Sequence, residues 1–85
     1  MGKYDPFTVF LYRQPADKDT IRMPFRELEV IIGAALPKSA RDDRTWWGNT
    51  VNPTRVQARA WLSATWMVKT IDLGQEVVTF VRGRP

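Results

Sequence analysis

The segment from Leu36 to Asn49 concentrates side chains that contact phosphates or stack on nucleobases. It supplies a hydroxyl, two guanidinium groups, an indole and an amide, carried by Ser39, Arg41, Arg44, Trp47 and Asn49. Hydroxyl, amide and guanidinium groups are frequent contacts to phosphate oxygens. An aromatic ring that stacks on an exposed base contributes about 1–3 kcal/mol. The segment therefore predicts a nucleic-acid contact made by these residues.

A second set of candidate phosphate contacts follows on a predicted helix. Asn52-Pro53 is a typical helix start, because Asn caps free N–H groups and Pro is tolerated at the first helical position. The pattern predicts a helix that continues to about Ser63, with Val56, Ala60, Trp61 and Ala64 facing inward. Arg55 and Arg59 share one face of it with Ser63, since residues four apart are neighbours on a helix. That face either contacts phosphates or is an ordinary solvated surface, and both interpretations stay open.

Each candidate in the first segment also has a structural interpretation. Ser39 fits the cap of a short helix predicted at about 40–47. Arg41 fits an ion pair with a carboxylate such as Glu29, and Asn49 fits a turn. Both tryptophans of the segment fit the core. The sequence leaves the binding and structural interpretations open for every one of these side chains.

The adjacent tryptophans Trp46 and Trp47 cannot both lie centrally in one core layer. Neighbouring residues point about 100° apart on a helix and to opposite faces of a strand. One of the two is therefore expected to anchor the fold, and the other to cover a surface or contact a partner. For the binding hypothesis we assign the stacking role to Trp47.

Composition excludes several classes of function. The chain has no cysteine and no histidine, so the usual zinc sites, cysteine nucleophiles and Ser-His triads are ruled out. We therefore expect a non-enzymatic protein without a metal or cofactor. It has no apolar run long enough to span a membrane and no signal-peptide core. The absence of cysteine suits a cytoplasmic protein. The net charge of +4 favours an anionic partner and fits a mildly basic soluble domain equally well.

The remaining chain predicts a small α+β fold in one domain, residues 1–85. Asp5-Pro6 begins a helix over about 6–13, a strand follows at 20–23, and a helix at about 25–32 ends at Gly33. Residues 66–72 and 76–82 are β-branched and aromatic and predict a hairpin that turns around Gly74. The predicted core contains Phe25, Leu28, Ile32, Trp61, Val78 and Phe80.

This order of elements is that of a winged-helix-like domain with one extra short helix. The strand at 20–23 would join the C-terminal β-hairpin in a small antiparallel sheet, with three or four short helices packed on one face. The topology is an analogy, and fold alone does not fix function.

Two blocks carry a resemblance to a known family. They are Leu36-Pro37-x-Ser39-Ala40-Arg41 and Trp46-Trp47-x-Asn49, supported by Gln57-Ala58-x-Ala60-Trp61-Leu62 further on. The chain resembles a family of small, uncharacterised bacterial proteins that occur mostly as stand-alone chains. The resemblance implies a bacterial or phage origin and supplies no activity or site residues. Relatives tend to carry glycine before the aromatic residue at position 66; Thr65 stands there in this chain, which argues against a sharp glycine turn.

Two functional classes remain. The first is a non-enzymatic nucleic-acid-binding module that contacts its ligand through Ser39, Arg41, Arg44, Trp47, Asn49, Arg55 and Arg59. The second is a protein-interaction module, an accessory or inhibitor protein that docks on a larger bacterial or phage protein. Small size, missing catalytic groups and four tryptophans favour the second, because exposed Trp and Arg are frequent interface hot spots. We take the first as the leading hypothesis.

Overall fold

The computed structural model describes residues 2–51, 53 and 56–83. In that part of the chain four α-helices, one 3-10 helix and three strands follow one another. Their bounds are α1 Asp5–Tyr12, β1 Thr20–Pro24, α2 Phe25–Ile32, α3 Lys38–Asp42, the 3-10 helix Arg44–Trp47, α4 Ala58–Leu62, β2 Trp66–Asp72 and β3 Val77–Arg82. The predicted α+β class with a C-terminal hairpin is confirmed. The likeness to winged-helix domains stays a prediction.

The three strands form one antiparallel sheet in the order β1-β3-β2. The central strand β3 places Phe80 opposite Ile21 of β1 and Val68 of β2. Val78 lies opposite Met23 and Ile71 in the same way. The early strand therefore pairs with the hairpin as predicted, and the alternating residues of β1 and β3 that face the helices are buried.

Local signals define α1 and α2. Pro24 has extended backbone angles and ends β1, so α2 begins at the next residue. Gly33 adopts a φ of 72° and ends α2, because glycine reaches this left-handed conformation without steric cost. The predicted helix at 25–32 is thus confirmed. Asp5 and Pro6 form the first turn of α1, one residue before the predicted start.

The predicted helix at 40–47 is wrong, because it is two short helices separated by Asp43. The extended backbone of Asp43, with φ −134° and ψ 112°, ends α3. Its side chain then accepts a hydrogen bond of 2.9 Å from the Thr45 backbone N–H and caps the 3-10 helix. Ser39 lies inside α3 and is not its cap; the N-cap position is Pro37, without a side-chain capping bond.

The helix predicted to run from Asn52-Pro53 to Ser63 is also shorter than expected. α4 begins only at Ala58. Gln57 precedes it and is buried, and its amide donates to the Trp46 carbonyl at 2.8 Å. This tertiary bond joins the residue before α4 to the 3-10 helix. Asn52 itself lies outside the described residues.

The predicted inward face of this helix is correct except at its start. Ala60, Trp61 and Ala64 are buried, whereas Val56 is 51% exposed. Val56 precedes α4 in a turn, so the helical periodicity that placed it inward does not apply.

Aromatic rings connect the helices to the sheet. The ring of Trp47 stacks on Phe25 at 5.0 Å between centroids and on Trp61 at 6.0 Å. Phe80 in the sheet continues the cluster, with its ring 5.6 Å from Trp61 and 5.2 Å from Phe7. All six predicted core residues are buried, which confirms Phe25, Leu28, Ile32, Trp61, Val78 and Phe80.

The chain makes a sharp turn at Thr65, where it enters the C-terminal hairpin. Thr65 has a φ of 60°, the left-handed region that β-branched residues rarely adopt. Its carbonyl accepts a 2.7 Å bond from the Gly83 N–H at the other end of the hairpin. The inference that threonine argues against a sharp turn is therefore wrong, and the turn holds a strained residue.

None of the helices in the described residues has the length and apolarity that crossing a membrane requires.

Candidate nucleic-acid interface

Trp47, which we predicted to stack on a base, is a core residue. Only 2% of it is exposed, and Phe25 and Trp61 stack against its ring. Its indole Nε1 donates to the Ala40 carbonyl at 2.8 Å. A ring enclosed in this way has no face for a nucleobase, so the stacking role assigned to Trp47 is wrong.

Asn49 joins the segment to β2. Its Nδ2 donates to the Val68 carbonyl at 2.9 Å, and its Oδ1 accepts from the Val68 N–H at 2.8 Å. The same oxygen accepts from the Trp61 indole at 3.0 Å. The side chain pairs with Val68 as a neighbouring strand would, on the side of β2 away from β3. These bonds hold Asn49 in place as a structural residue.

Arg41 forms a cluster with two carboxylates. It donates to Glu29 at 3.0 Å and to Glu76 at 3.1 Å, and more weakly to the Leu36 carbonyl at 3.4 Å. The Glu29 carboxylate also accepts a hydrogen bond from the Leu36 N–H. This bond is the largest cause that holds the pKa of Glu29 below its ordinary value, and the contact with Arg41 lowers it further. The bond to Glu29 raises the pKa of Arg41. The predicted pair of Arg41 with Glu29 is confirmed, and the guanidinium ties α2 and α3 to the hairpin turn.

The remaining predicted contacts lie on different elements. Ser39 and Arg44 are exposed on α3 and the 3-10 helix, and Arg44 donates to the Ile71 carbonyl at 2.9 Å. Arg59 is exposed on α4. Arg55 lies outside the described residues. Of the predicted set, Arg59 lines a concave surface, together with Lys3.

That surface, which we call the α1–α4 groove, has a volume of about 320 Å³ and is lined by Lys3, Tyr4, Asp5, Thr8, Val56 and Arg59. Two hydrogen bonds fix its walls. The Thr8 hydroxyl donates to the Ala60 carbonyl and the Tyr12 hydroxyl donates to the Ser63 carbonyl, both at 2.8 Å. Because Thr8 and Tyr12 are one helical turn apart, they hold α1 alongside α4.

Among the described residues, Tyr4 supplies the aromatic ring of the groove lining. The Tyr4 ring meets the Trp46 ring edge-on at 6.0 Å, and both residues are half-buried. Burial raises the pKa of the Tyr4 hydroxyl. Lys3 places its ammonium nitrogen 5.8 Å from the centre of the Tyr4 ring. Trp46 is thus the member of the tryptophan pair that stays partly exposed while Trp47 anchors the fold, which confirms the division of roles predicted for the pair.

Two cationic residues and one acidic residue line the groove in the described part of the chain. Lys3 and Arg59 are exposed cations, and no ion pair involves either of them among the residues described. Asp5 is the acidic residue of the lining, and its carboxylate accepts from the Gly2 N–H at 2.8 Å. No group of three or more acidic residues in the described chain is arranged to hold a metal ion. The groove offers cations and ring surface, the combination that an anionic aromatic ligand requires.

The sequence analysis missed the α1 side of this groove. A signal was present, because Tyr4, Thr8 and Tyr12 recur every fourth residue and so present hydroxyl groups along one face of α1. The opposite wall comes from Val56 and Arg59, far along the chain. Only the packing of α1 on α4 brings the two sets together.

The chain belongs to the family described as Domain of unknown function (DUF7662), which matches residues 4–83. Neither the curated proteins nor the solved structures include one that matches the chain. The family description assigns no activity, so the function has to be argued from the groove and the surface around it.

Proposed function

We propose that this member of the DUF7662 family is a non-enzymatic nucleic-acid-binding module that holds single-stranded nucleic acid in the α1–α4 groove. The observation that carries the proposal is the proximity of two exposed cations, Lys3 and Arg59, to the half-buried Tyr4 ring in one concave surface. Proteins that bind single strands without strong sequence preference combine cations for the backbone with aromatic rings for the bases.

The shortness of α4 favours single strands over a duplex. A helix that reads the major groove must present several residues along it. α4 contains 5 residues, which at a rise of 1.5 Å per residue is about 7.5 Å. An unpaired base, in contrast, exposes a face that the Tyr4 ring in the groove can stack on. The apolar side chain of Val56, 51% exposed, adds a contact on the Arg59 side.

The charge of the whole chain supports the same ligand. The net charge of +4 draws polyanions toward the surface, and Arg44 adds a further exposed cation on the element that carries Trp46. The cysteine-free composition fits a reducing compartment, so the proposed setting is the cytoplasm of a bacterium or of a phage-infected cell. No cofactor is required for this role.

A fluorescence titration with oligothymidylate between about 50 and 200 mM salt tests the proposal, because phosphate contacts make affinity fall steeply over this range. Arg59→Ala and Lys3→Ala should each reduce the salt slope of log K by about 0.7, the value for one phosphate contact on a single strand. Tyr4→Leu should weaken binding with little change in slope, since stacking releases few counterions.

The matched control is Lys69→Ala, which removes an exposed cation from β2, outside the groove. Folded Lys69→Ala protein should bind like the wild type. Equal losses in Lys69→Ala and Arg59→Ala would show attraction by net charge alone and would refute the groove. Absence of binding by the folded wild type at low salt would refute nucleic-acid binding altogether and make the protein-interaction hypothesis the leading one.

A further inference from the structure

The two edge strands of the sheet differ in whether side chains bond their outward backbone groups. The order β1-β3-β2 leaves β1 and β2 as edge strands. On β2, Asn49 bonds both backbone groups of Val68, and Arg44 donates to the Ile71 carbonyl. Side chains thus occupy the outward N–H and C=O of Val68 and the outward C=O of Ile71, which another strand would need. Such protection is how natural sheets prevent edge-to-edge pairing.

The free edge of β1 lacks this protection. Asp19 accepts from the Arg82 N–H at 2.9 Å and the Phe25 N–H donates to Glu76 at 2.8 Å, so these positions face β3. Antiparallel pairing alternates, and Thr20 and Arg22 therefore direct their N–H and C=O groups away from β3. Within the described residues no hydrogen bond outside the sheet engages these backbone groups, and both residues are exposed.

We propose that the β1 edge binds an extended acidic segment of a partner protein, which adds to the sheet as a fourth strand. Strand addition of this kind draws affinity from backbone hydrogen bonds and specificity from alternate side chains. The backbone groups of Thr20 and Arg22 supply the bonds. Pro24 has no N–H and limits the pairing at the far end of β1.

The positive charge of Arg22 favours an acidic strand at the β1 edge. Arg22 is the charged residue of β1, and its exposed side chain shares a sheet face with the residue opposite on an added strand. Opposite charges at such positions stabilise pairing, and like charges destabilise it. Beyond Pro24 a surface hollow of about 310 Å³ begins, and Arg26 contributes to its lining. The same hollow is also lined by Glu76, so the cation that favours an acidic strand is Arg22.

A second copy of the chain is a poorer occupant. Antiparallel pairing of two β1 edges through Thr20 and Arg22 brings both copies of Arg22 to one face, either opposite or diagonal to each other. Side chains at those positions lie within roughly 4.5–8 Å, where like charges repel. Each copy also carries a net charge of +4. The complementary occupant therefore has carboxylates at alternate positions.

Amide hydrogen exchange followed by NMR tests the proposal on the full chain. The probe is a synthetic peptide of about five to seven residues, the length that matches β1, with glutamate alternating with threonine and valine. Free protein should exchange the Thr20 and Arg22 amides quickly and the Ile21 and Met23 amides slowly. The peptide should slow exchange at Thr20 and Arg22 while the Val68 amide does not change.

Two controls make the result specific. A peptide with lysine in place of glutamate should bind about two- to fivefold more weakly, the range for an exposed charge pair. Arg22→Glu should reverse the preference between the two peptides, and Arg59→Ala should leave it unchanged. The last variant separates this edge from the groove, so that failure of one proposal does not decide the other.

Several outcomes would overturn the proposal. Slow exchange of Thr20 and Arg22 in the free chain at low concentration would mean that the edge is already paired. Protection that rises with protein concentration and needs no peptide would identify a second copy as the occupant. Peptide effects confined to β2, or absent at every peptide concentration tested, would show that β1 does not accept a strand.

Discussion

Replacing Asn49 by alanine should destabilise the fold without acting on the ligand directly. The change removes the bonds to the Val68 N–H, to the Val68 carbonyl and to the Trp61 indole, at 2.8, 2.9 and 3.0 Å. A hydrogen bond of this kind contributes about 0.5–1.5 kcal/mol net. The expected loss for the set is therefore about 1.5–4.5 kcal/mol. This is a large fraction of the total stability of a small domain, which is roughly 5–15 kcal/mol.

Urea unfolding followed by tryptophan fluorescence measures the loss, and an unchanged dependence on urea concentration shows that the folded state is the same. Asn49→Asp is the matched variant. A carboxylate still accepts from Val68 and Trp61 but cannot donate to the Val68 carbonyl and repels it, so this variant should also be less stable than the wild type. The indole N–H signal of Trp61 should shift in the alanine variant and much less in the aspartate variant.

A cost below about 0.5 kcal/mol for Asn49→Ala would refute the structural role, because it is less than one ordinary hydrogen bond. Loss of oligonucleotide binding by a variant of unchanged stability would refute it more directly. That result would restore Asn49 to the ligand contacts predicted from the sequence.

Further predictions concern packing, backbone strain and acid. Phe80→Ala should cost about 3–5 kcal/mol by urea unfolding, because Phe80 is fully buried; an unchanged midpoint would exclude it from the core. Thr65→Gly should raise the melting temperature, because glycine removes most of the roughly 1–2 kcal/mol cost of a left-handed residue, whereas Thr70→Gly in β2 should lower it. Glu29 has a pKa held below its ordinary 4.5, so its stabilising effect is complete above that value and is lost as pH falls through the lower folded pKa. The urea midpoints of wild type and Glu29→Gln should therefore converge in acid; a constant difference would refute this cause.

The sequence predicted those elements whose ends are marked by local chemistry. Pro24 and Gly33 bracket α2, and β-branched residues mark the strands, so these elements are found where the pattern placed them. The residue before α4, Gln57, instead donates to the Trp46 carbonyl of a separate element. Local patterns carry no information on such contacts, and the helix predicted from Asn52-Pro53 begins later, at Ala58.

The candidate site was harder to predict than the fold. Sequence adjacency shows that only one of Trp46 and Trp47 can lie at the centre, but it does not show which one. Trp47 is the buried one, and its indole N–H donates to the carbonyl of the buried Ala40. The same adjacency could not reveal the groove, because Tyr4 and Arg59 meet only after α1 packs on α4.

The most specific residues of the sequence hold the fold together, which limits how tightly the groove can bind. Arg41 and Asn49 engage internal partners, and releasing a buried polar partner costs about 1–3 kcal/mol. The ligand is left with Lys3, Arg59 and the Tyr4 ring, a set that fits the non-specific range of about 10⁻⁴–10⁻⁶ M at physiological salt. Such a module needs a second attachment to act on a dilute target. A partner strand on β1, as proposed above, would provide one if that partner itself holds the nucleic acid, because tethering replaces the bulk concentration of the nucleic acid with an effective concentration in the millimolar range for short linkers. Under both proposals, binding through the groove alone or through the β1 edge alone is weak, and binding through both together is tighter.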